Sequence, residues 1–267
     1  MSITLHLGDC LEVMKLLPDK SVDCFICDLP YGCLISKTSD TKLVDFRNKS
    51  GDVKKKISAC AWDIKLNLEL FWEQIHRLRK NEHTPCLMFC TTKFGIDLIN
   101  SNPKEFRYDL VWDKQRGVSF LTANKMPMRS HEMIYVFSKA GAYYNRVDLI
   151  GEFAPKAQHN GASKQYGTVH SVYGDRKRVC GNTNTRCVLS VINNSTSSTR
   201  NGHPTEKPME LYRFLMERYC PPGGTVLDPT AGSFNSCFVA YDMDRHGIGI
   251  EKDEGFHKKA SDRADKL

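Results

Sequence analysis

The sequence predicts an α/β fold built on a mostly parallel sheet, and three observations support this. In the first and last parts of the chain, short apolar runs alternate with longer amphipathic stretches, which is the pattern of strands that alternate with helices. Several apolar runs are continuous, as expected for strands that are buried on both faces. Between these parts, residues 139–200 are rich in Gly, Asn, Ser and Thr, which predicts a loop-rich insert.

The elements of the first part follow from the spacing of apolar residues. Alternation over Ile3–Leu7 predicts a strand, and Leu11, Met14 and Leu17 have the spacing of a helix that ends before Pro18. Further apolar runs predict strands at Val22–Cys27, Cys86–Cys90, Tyr108–Trp112 and Met133–Phe137. Amphipathic stretches predict helices at Leu66–Arg79 and Thr92–Asn100.

The last part of the chain, after His203, repeats this pattern. The predicted helices are Met209–Tyr219, Ser233–Tyr241 and Glu254–Asp262, and the predicted strands are Thr225–Leu227 and Gly247–Ile250. The prolines and glycines at 221–224 predict a turn. Because helices separate the strands, we expect a doubly wound sheet with helices on both faces.

The composition excludes several classes of protein. The chain has 267 residues, of which 40% are hydrophobic and 26% charged, and this is neither a disordered nor a collagenous composition. No apolar run reaches the length of a membrane helix, and the N-terminus does not resemble a secretory signal. Most of the eleven cysteines lie in apolar runs, which predicts reduced thiols in a cytoplasmic or nucleoid-associated protein, or in the equivalent host compartment for a phage- or virus-encoded one.

The net charge of +7 is concentrated in two segments. Residues 37–56 carry seven basic and three acidic side chains, and residues 139–200 carry nine basic and three acidic ones. The rest of the chain is therefore slightly acidic. Two basic, turn-rich segments favour a polyanionic partner, and two merely solvated loops remain the alternative.

The first chemical motif is Asp28-Leu29-Pro30-Tyr31, which directly follows a predicted buried strand. Ligands of open α/β sheets bind at the carboxyl ends of the strands. A carboxylate, a backbone carbonyl fixed by proline and an aromatic ring suit a planar heterocycle with an exocyclic amine. A simple turn that ends the strand is the alternative.

The second motif is Asp228-Pro229-Thr230-Ala231-Gly232-Ser233, a small-residue turn between a predicted strand and a predicted helix. Such a turn lets a ligand approach the backbone closely. Glu251, at the end of the next strand, suits the hydroxyls of a ribose. Neither the GxGxxG fingerprint nor a phosphate-binding loop is present, so the pattern favours a nucleoside, with a tight βα turn as the alternative.

Taken in order, these motifs closely resemble the beta-group DNA amino-methyltransferases, which transfer a methyl group from S-adenosylmethionine to adenine N6 or cytosine N4. The resemblance rests on Gly8-Asp9-Cys10, the two motifs above and His203-Pro204-Thr205-Glu206-Lys207-Pro208. It implies a circularly permuted class I methyltransferase with a seven-stranded sheet. Residues 1–138 would form the catalytic half, 139–202 the target-recognition insert and 203–267 the cofactor-binding half.

The resemblance also implies a role for individual residues. Asp28, the Leu29 carbonyl, Pro30 and Tyr31 would hold the target amine and its base, with Asp28 also bordering the cofactor. The cofactor site would include Asp9, Cys10, Lys207, Asp228, Pro229, Thr230, Ala231, Gly232, Ser233 and Glu251. The charge of the two basic segments, and not the resemblance, makes Lys54, Lys55, Lys56, Arg176, Lys177, Arg178 and Arg186 candidate contacts to double-stranded DNA, with solvated basic loops as the alternative. Dimers are common in the family, so a homodimer is compatible with the resemblance.

Two positions depart from the family pattern. Leu29 stands where a second proline is usual, and Phe234 stands where glycine is frequent, so that its ring would either crowd the cofactor or pack against the sheet. Aspartate at position 28 is associated mainly with adenine, which predicts N6-adenine methylation. The alternatives are an N4-cytosine enzyme and a catalytically weak DNA-binding subunit of a methyltransferase complex.

The cysteines suggest two further chemistries, and the sequence argues against both. Cys86, which follows Pro85, could suggest a cytosine-C5 nucleophile, but it opens an apolar run and is expected to be buried. Cys24 and Cys27 lie three residues apart on a strand, so they point to opposite faces and are not expected to share a metal.

Overall fold

In the computed structural model, the described residues are 1–31, 65–118, 120, 123–151, 185–194 and 206–267, with the backbone of 46–47 and 53–54. The chain divides into two compact units, Met1–Asn145 with Ser190–Leu267, and Arg146–Leu189. The boundaries of the target-recognition insert and its role stay predictions. No helix among the described residues is long and apolar enough to cross a membrane.

The helices and strands are numbered in chain order. The strands are β1 (Ile3–Leu7), β2 (Cys24–Cys27), β3 (Phe46–Arg47), β4 (Val53–Lys54), β5 (Cys86–Cys90), β6 (Phe106–Val118), β7 (Arg129–Phe137), β8 (Leu149–Ile150), β9 (Thr185–Arg186), β10 (Val191–Asn193), β11 (Thr225–Asp228) and β12 (His246–Glu251). The helices are α1 (Cys10–Leu16), α2 (Leu68–Leu78), α3 (Thr92–Ser101), α4 (Met209–Tyr219), α5 (Asn235–Asp242) and α6 (Glu254–Ala264).

The first unit contains an eight-stranded sheet with the strand order β1-β12-β11-β2-β5-β7-β6-β10, besides the antiparallel pair of β3 and β4. All neighbouring strands of the eight-stranded sheet are parallel except β7, which is antiparallel to both β5 and β6. The predicted α/β class with a mostly parallel sheet is confirmed. The second unit contains the antiparallel pair of β8 and β9.

The expected number of seven strands is wrong, because the sheet has eight. The additional strand is β10, which pairs in parallel with residues 111–113 of β6. Its three residues lie in the segment predicted to be loop-rich, and so short a strand leaves no periodic signal. β6 also extends to Val118, beyond the predicted end at Trp112, because polar residues continue the hairpin with β7.

The core consists of apolar layers on both faces of the sheet. Cys27 packs in a cluster that includes residues of α1 and α2, whereas Cys24 packs in a cluster that includes residues of α4. The prediction that these two thiols face opposite sides is therefore confirmed. Cys86 is buried in the first of these clusters, also as predicted.

Candidate active site at the carboxyl edge of the sheet

The two sequence motifs lie side by side. β2 and β11 are neighbouring parallel strands, with Val226 opposite Cys24 and Leu227 opposite Phe25. Asp28 follows the last residue of β2 and Asp228 is the last residue of β11, so both lie at the same edge of the sheet. The ends of β12 and β1 bring Glu251 and Asp9 to that edge as well.

The carboxylate of Asp28 accepts hydrogen bonds on both oxygens. The Tyr31 hydroxyl donates to Oδ1 at 2.8 Å, and the Lys207 ammonium donates to Oδ2 at 2.5 Å. The Tyr31 ring lies 5.1 Å from the ring of Phe94. Burial raises the pKa of Tyr31 well above its usual value, and Asp28 adds to the shift, so Tyr31 is a neutral donor. Leu29 is buried.

Lys207 belongs to a buried charge network that the sequence did not predict. Its ammonium also lies 3.4 Å from Oε2 of Glu132 and 5.1 Å from the centre of the Phe89 ring. The other oxygen of Glu132 accepts a hydrogen bond from Lys114. Two cations and two carboxylates therefore alternate in a chain that ends at Asp28.

Both central groups of this network are ionised. Burial acts to lower the pKa of Lys207, but Asp28 and Glu132 outweigh it and raise that pKa above its usual value. Burial likewise acts to raise the pKa of Glu132, but Lys207 and Lys114 outweigh it and lower that pKa. Lys207 therefore holds a full positive charge against Asp28, although its side chain is only 5% exposed.

Lys207 is held in place from the other side by the start of α5. The side-chain amide of Asn235 donates to Oε1 of Glu206 at 2.5 Å and to the Lys207 carbonyl at 3.5 Å. Arg263 of α6 donates to Oδ1 of Asn235 at 2.8 Å. These contacts connect the segment that carries Lys207 to the helix that follows the second motif.

Asp228 has a different environment from Asp28. Its oxygens accept from the Thr230 backbone N–H at 3.2 Å and from the Ser236 hydroxyl at 2.6 Å. Within the described part of the chain, no Lys or Arg forms an ion pair with it. Burial raises the pKa of Asp228 to about 7, against the two hydrogen bonds, which act to lower it.

The turn after Asp228 is tied to Glu251. Gly232 adopts a left-handed backbone with φ of 54°, and its N–H donates to Oε2 of Glu251 at 2.8 Å. Oε1 of Glu251 accepts from the Asp253 N–H at 2.8 Å. Each oxygen of Glu251 keeps a second lone pair, so the carboxylate can still accept a hydroxyl.

Phe234 packs against the sheet, which resolves the alternatives left open by the sequence. Its side chain is fully buried in a cluster with Ala231, Phe238 and Ala260, and residues of β1 pack against that cluster. A Cβ at Gly249 of β12 would lie 2.5 Å from the Phe234 ring, so the ring lies directly against the backbone of that strand. Phe234 itself has a left-handed φ of 58°.

The residues around the second motif fit the expected S-adenosylmethionine. The Thr230 hydroxyl is buried and has no hydrogen-bond partner among the described residues. Such a group is costly unless a ligand bonds it. Asp9 caps α1 by accepting from the Leu11 N–H at 3.0 Å, and Cys10 beside it is buried, which raises its pKa to about 12. The turn thus offers neutral donors and acceptors next to a carboxylate for ribose hydroxyls.

The predicted DNA contacts lie mostly outside the described residues. Lys55, Lys56, Arg176, Lys177 and Arg178 all do, and of Lys54 only the backbone, in β4, is described. Arg186 is in β9 of the second unit. The DNA contacts assigned to these residues stay predictions.

The missed residues of the site are Glu132 and Lys114. Glu132 lies in the polar first part of β7 and Lys114 in the polar last part of β6. Both are outside the apolar runs from which these strands were predicted. Trp112 pairs with Glu132 across the hairpin, and this register brings Lys114 to the Glu132 side chain. A carboxylate directly before an apolar strand was the only available signal.

The chain matches known proteins over most of its length. Residues 22–262 match the model of a DNA methylase family, N6_N4_Mtase. The DNA adenine methyltransferase YhdJ of Escherichia coli is 27% identical over 272 residues, which cover 98% of this chain and 82% of YhdJ.

Two further relatives align over less than half of their own length. The methylase YubD of Escherichia coli is 43% identical over 61 residues, or 23% of this chain and 27% of YubD. The type II methyltransferase M.SmaI of Serratia marcescens is 29% identical over 157 residues, or 59% of this chain and 45% of M.SmaI.

Solved structures share the fold. The cytosine-N4-specific PvuII DNA methyltransferase superposes with a TM-score of 0.64 at 14% identity, covering 98% of this chain and 86% of the enzyme. The complex of M1.HpyAVI with S-adenosylmethionine superposes with a TM-score of 0.57 at 16% identity, covering 98% of this chain and 99% of that one.

Proposed function

Because the chain belongs to the DNA methylase family, we propose that it transfers a methyl group from S-adenosylmethionine to the exocyclic N6 of an adenine in double-stranded DNA. The observation that carries this proposal is the acceptor at Asp28, which is paired with a buried ammonium. Its carboxylate lies at the carboxyl edge, beside the turn that fits the cofactor, and is fixed by Tyr31 and Lys207.

S-adenosylmethionine is the cofactor of this family, and the site residues divide its recognition between them. When bound, it supplies an electrophilic methyl group that the nitrogen of the target amine accepts in a direct displacement. Glu251 would accept the ribose hydroxyls, the turn 228–233 would contact the methionine part, and Asp9 and Cys10 would lie beside the adenine.

Asp28 would act on the target amine mainly by orientation and electrostatics. Its carboxylate and the Leu29 carbonyl accept the two N–H groups of the amine, which draws the nitrogen lone pair out of conjugation with the ring. Lys207 holds the Asp28 carboxylate in a fixed position while it does so. The target base must leave the stack to reach this edge, and the Tyr31 ring is then available to stack on it.

The choice of adenine over cytosine rests on two observations. Position 28 is an aspartate, and the relative that aligns over 98% of this chain is a DNA adenine methyltransferase. The similarity to the cytosine-N4-specific PvuII enzyme keeps N4-cytosine methylation as the second candidate. The site favours neither by its hydrogen bonds alone, because both bases present an exocyclic amine.

The test is methylation of mixed-sequence DNA with labelled S-adenosylmethionine, followed by base analysis of the product. We expect label on adenine N6, with the rate reduced about 10²- to 10³-fold or more in Asp28→Asn and Asp28→Ala. Asp262→Ala, which removes an exposed carboxylate of α6, is the matched control and should leave the rate unchanged.

The other outcomes are equally specific. Label on cytosine N4 would replace the adenine assignment by the second candidate. DNA binding by the wild type without transfer of label would show a binding subunit in place of an enzyme. Light scattering on the same samples tests for the homodimer. An enzyme that acts on duplex DNA is expected in the bacterial or host compartment that holds this DNA.

A further inference from the structure

The hairpin of β6 and β7 extends beyond the rest of the sheet. β5 ends at Cys90, opposite Met133 of β7, and β10 ends at Asn193, opposite Asp113 of β6. The hairpin continues to the pair of Val118 and Arg129. Beyond those points it has no neighbouring strand among the described residues. We call its described residues 115–118, 120 and 123–129 the overhang.

The overhang projects from the edge that carries Asp28. β5 is parallel to β2, so Cys90 and Asp28 mark the same edge, and the hairpin continues in that direction. Lys114 and Glu132 lie where the overhang begins. Since Glu132 contacts Lys207, and Lys207 contacts Asp28, the overhang is continuous with the catalytic network.

Apolar side chains are unusually exposed on the overhang. Phe120 is 78% exposed and Met126 is 58% exposed, with Val118 and Met128 also exposed. Concentrated exposed apolar side chains mark an interaction surface. A two-stranded hairpin has little stability of its own, so a surface of this kind gains from a partner that covers it.

The charge of the overhang indicates the chemistry of that partner. Residues 115–131 contain Arg116, Lys125 and Arg129 and no acidic residue. Arg116 and Lys125 are exposed, whereas Arg129 is half-buried and donates to the Thr92 hydroxyl at 3.2 Å. Cations around an exposed aromatic ring suit a polyanion with stacked bases and do not suit an acidic protein surface equally well.

We propose that the overhang is a contact surface for duplex DNA at the target base. Arg116 and Lys125 bind phosphates, and the Phe120 ring stacks on bases that become exposed when the target leaves the duplex. This inference rests on the proposed function, because extraction of the target base leaves such a gap in the duplex. Apolar wedges that fill unstacked steps are a general device of DNA-bending proteins.

The test measures affinity by fluorescence anisotropy for a mixed-sequence duplex and for the same duplex with one abasic position, over a series of salt concentrations. For Arg116→Gln with Lys125→Gln we expect the slope of log K against log salt to fall by about 2. The control, Lys15→Gln with Lys266→Gln, removes equal charge at the far ends of α1 and α6 and should keep the slope.

Phe120 is tested on the abasic duplex, where the gap is already open. Phe120→Ala should bind it roughly 5- to 100-fold more weakly than the wild type, with a smaller change on the intact duplex, and Phe120→Trp should restore binding. Because Phe120 is exposed, the thermal midpoint of unfolding should not change, and this separates a lost contact from a lost fold.

Unchanged affinity of Phe120→Ala on both duplexes, or equal slopes for the two double variants, would overturn the inference. Methylation of the same DNA, measured in parallel, separates it from the proposed function. Label transferred by the wild type with unaltered binding of the overhang variants refutes the overhang alone. Binding that depends on the overhang without any transfer of label supports the overhang and refutes the enzyme.

Discussion

Asp28 and Asp228 end neighbouring strands of one sheet, and each is followed within two residues by a proline, yet their environments are opposite. Asp28 contacts a buried ammonium and a phenol. Asp228 is buried among neutral donors, and its pKa is raised to about 7. The same residue type at neighbouring strand ends is therefore paired with a buried cation on one side and has a pKa raised to near neutral on the other.

The difference shows that the cation beside a strand-end carboxylate can come from residues far away in the sequence. Lys207 is 179 positions from Asp28, and Glu132 and Lys114 come from a third region of the chain. A carboxylate beside a cation suits a target amine, because it must accept a hydrogen bond from an N–H group of that amine. A carboxyl that can be neutral suits the turn beside a cofactor that carries polar groups of both signs.

The largest effect is expected for Lys207→Met, which removes the cation that contacts Asp28. The two partly buried carboxylates of Asp28 and Glu132 would remain, with Lys114 as the cation left in the network. We expect the free energy of unfolding at pH 7 to fall by about 3–5 kcal/mol, as for other broken buried ion pairs. Urea unfolding measures this change.

The pH dependence of the Lys207→Met loss provides the check. The lowered pKa of Glu132 contributes stability that is present above its unfolded pKa and is lost as the pH falls. The difference between wild type and variant should therefore shrink as the pH falls below about 4.3, the usual pKa of an unfolded glutamate. Lys258→Met, which breaks an exposed pair on α6, should cost less than about 1 kcal/mol. A loss that is the same at every pH would contradict the charged network.

The next largest effect is expected for Asp228→Asn on the opposite side. The raised pKa of Asp228 means that its contribution to stability is fully present below about pH 4 and is lost as the pH rises through about 7. Asparagine lacks this titration, and Ser236 can reverse its hydrogen bond to accept from the amide. From pH 4 to pH 8, the difference in the free energy of unfolding between the variant and wild type should therefore change by about 3–4 kcal/mol in favour of the variant.

Urea unfolding across that pH range measures the gain of Asp228→Asn. The exposed Asp109→Asn is the matched control and should run parallel to wild type. Parallel curves for Asp228→Asn would mean that burial does not raise the pKa of Asp228, and the contrast between the two sides would be lost.

The sequence predicted the edge that carries the site better than it predicted the contacts within it. Strand-end motifs place Asp28 and Asp228 at one edge of any parallel sheet, and the apolar runs located the ends of β2 and β11 within two residues. The positions of Cys24, Cys27 and Cys86 followed from the period of a strand. These are local properties, which the chain carries in contiguous residues.

The contacts could not be predicted because they depend on the register of paired strands and on which distant segments of the chain meet. Glu132 reaches Lys114 only because Trp112 pairs with Glu132 in the hairpin. Ser236 reaches Asp228 because α5 begins at Asn235 and not at the predicted Ser233. β10 was missed because its stability comes from pairing with β6 and not from its own three residues.

A smaller effect on the free energy of unfolding is expected for Ser236→Ala, which removes one of the hydrogen bonds to Asp228. The Ser236 hydroxyl lowers the pKa of Asp228, so its removal should move that pKa above about 7. Where Asp228 is ionised, at pH 8, the loss of a hydrogen bond to a charged group should cost about 1.5–3 kcal/mol. At pH 5 the cost should be smaller. Ser261→Ala, which removes a bond to the His257 carbonyl, is the control, and it should show no such pH dependence.

The smallest expected effect concerns the backbone that supports the Asp228 side. Phe234 is buried in the left-handed region, which costs an L-residue about 1–2 kcal/mol and glycine almost nothing. Phe234→Ala and Phe234→Gly both lose the ring, at about 3–5 kcal/mol. Glycine should nevertheless be the more stable variant by about 0.5–1 kcal/mol, since part of its advantage is offset by its freer unfolded chain.

Phe238 is the matched control for Phe234, because it is buried in the same cluster but lies within α5. There the order should reverse, with Phe238→Gly less stable than Phe238→Ala by about 1 kcal/mol. Urea unfolding of the four variants measures both differences. If alanine were the better residue at both positions, the left-handed turn would not constrain position 234, and glycine at that position would offer no conformational advantage to the turn beside Asp228.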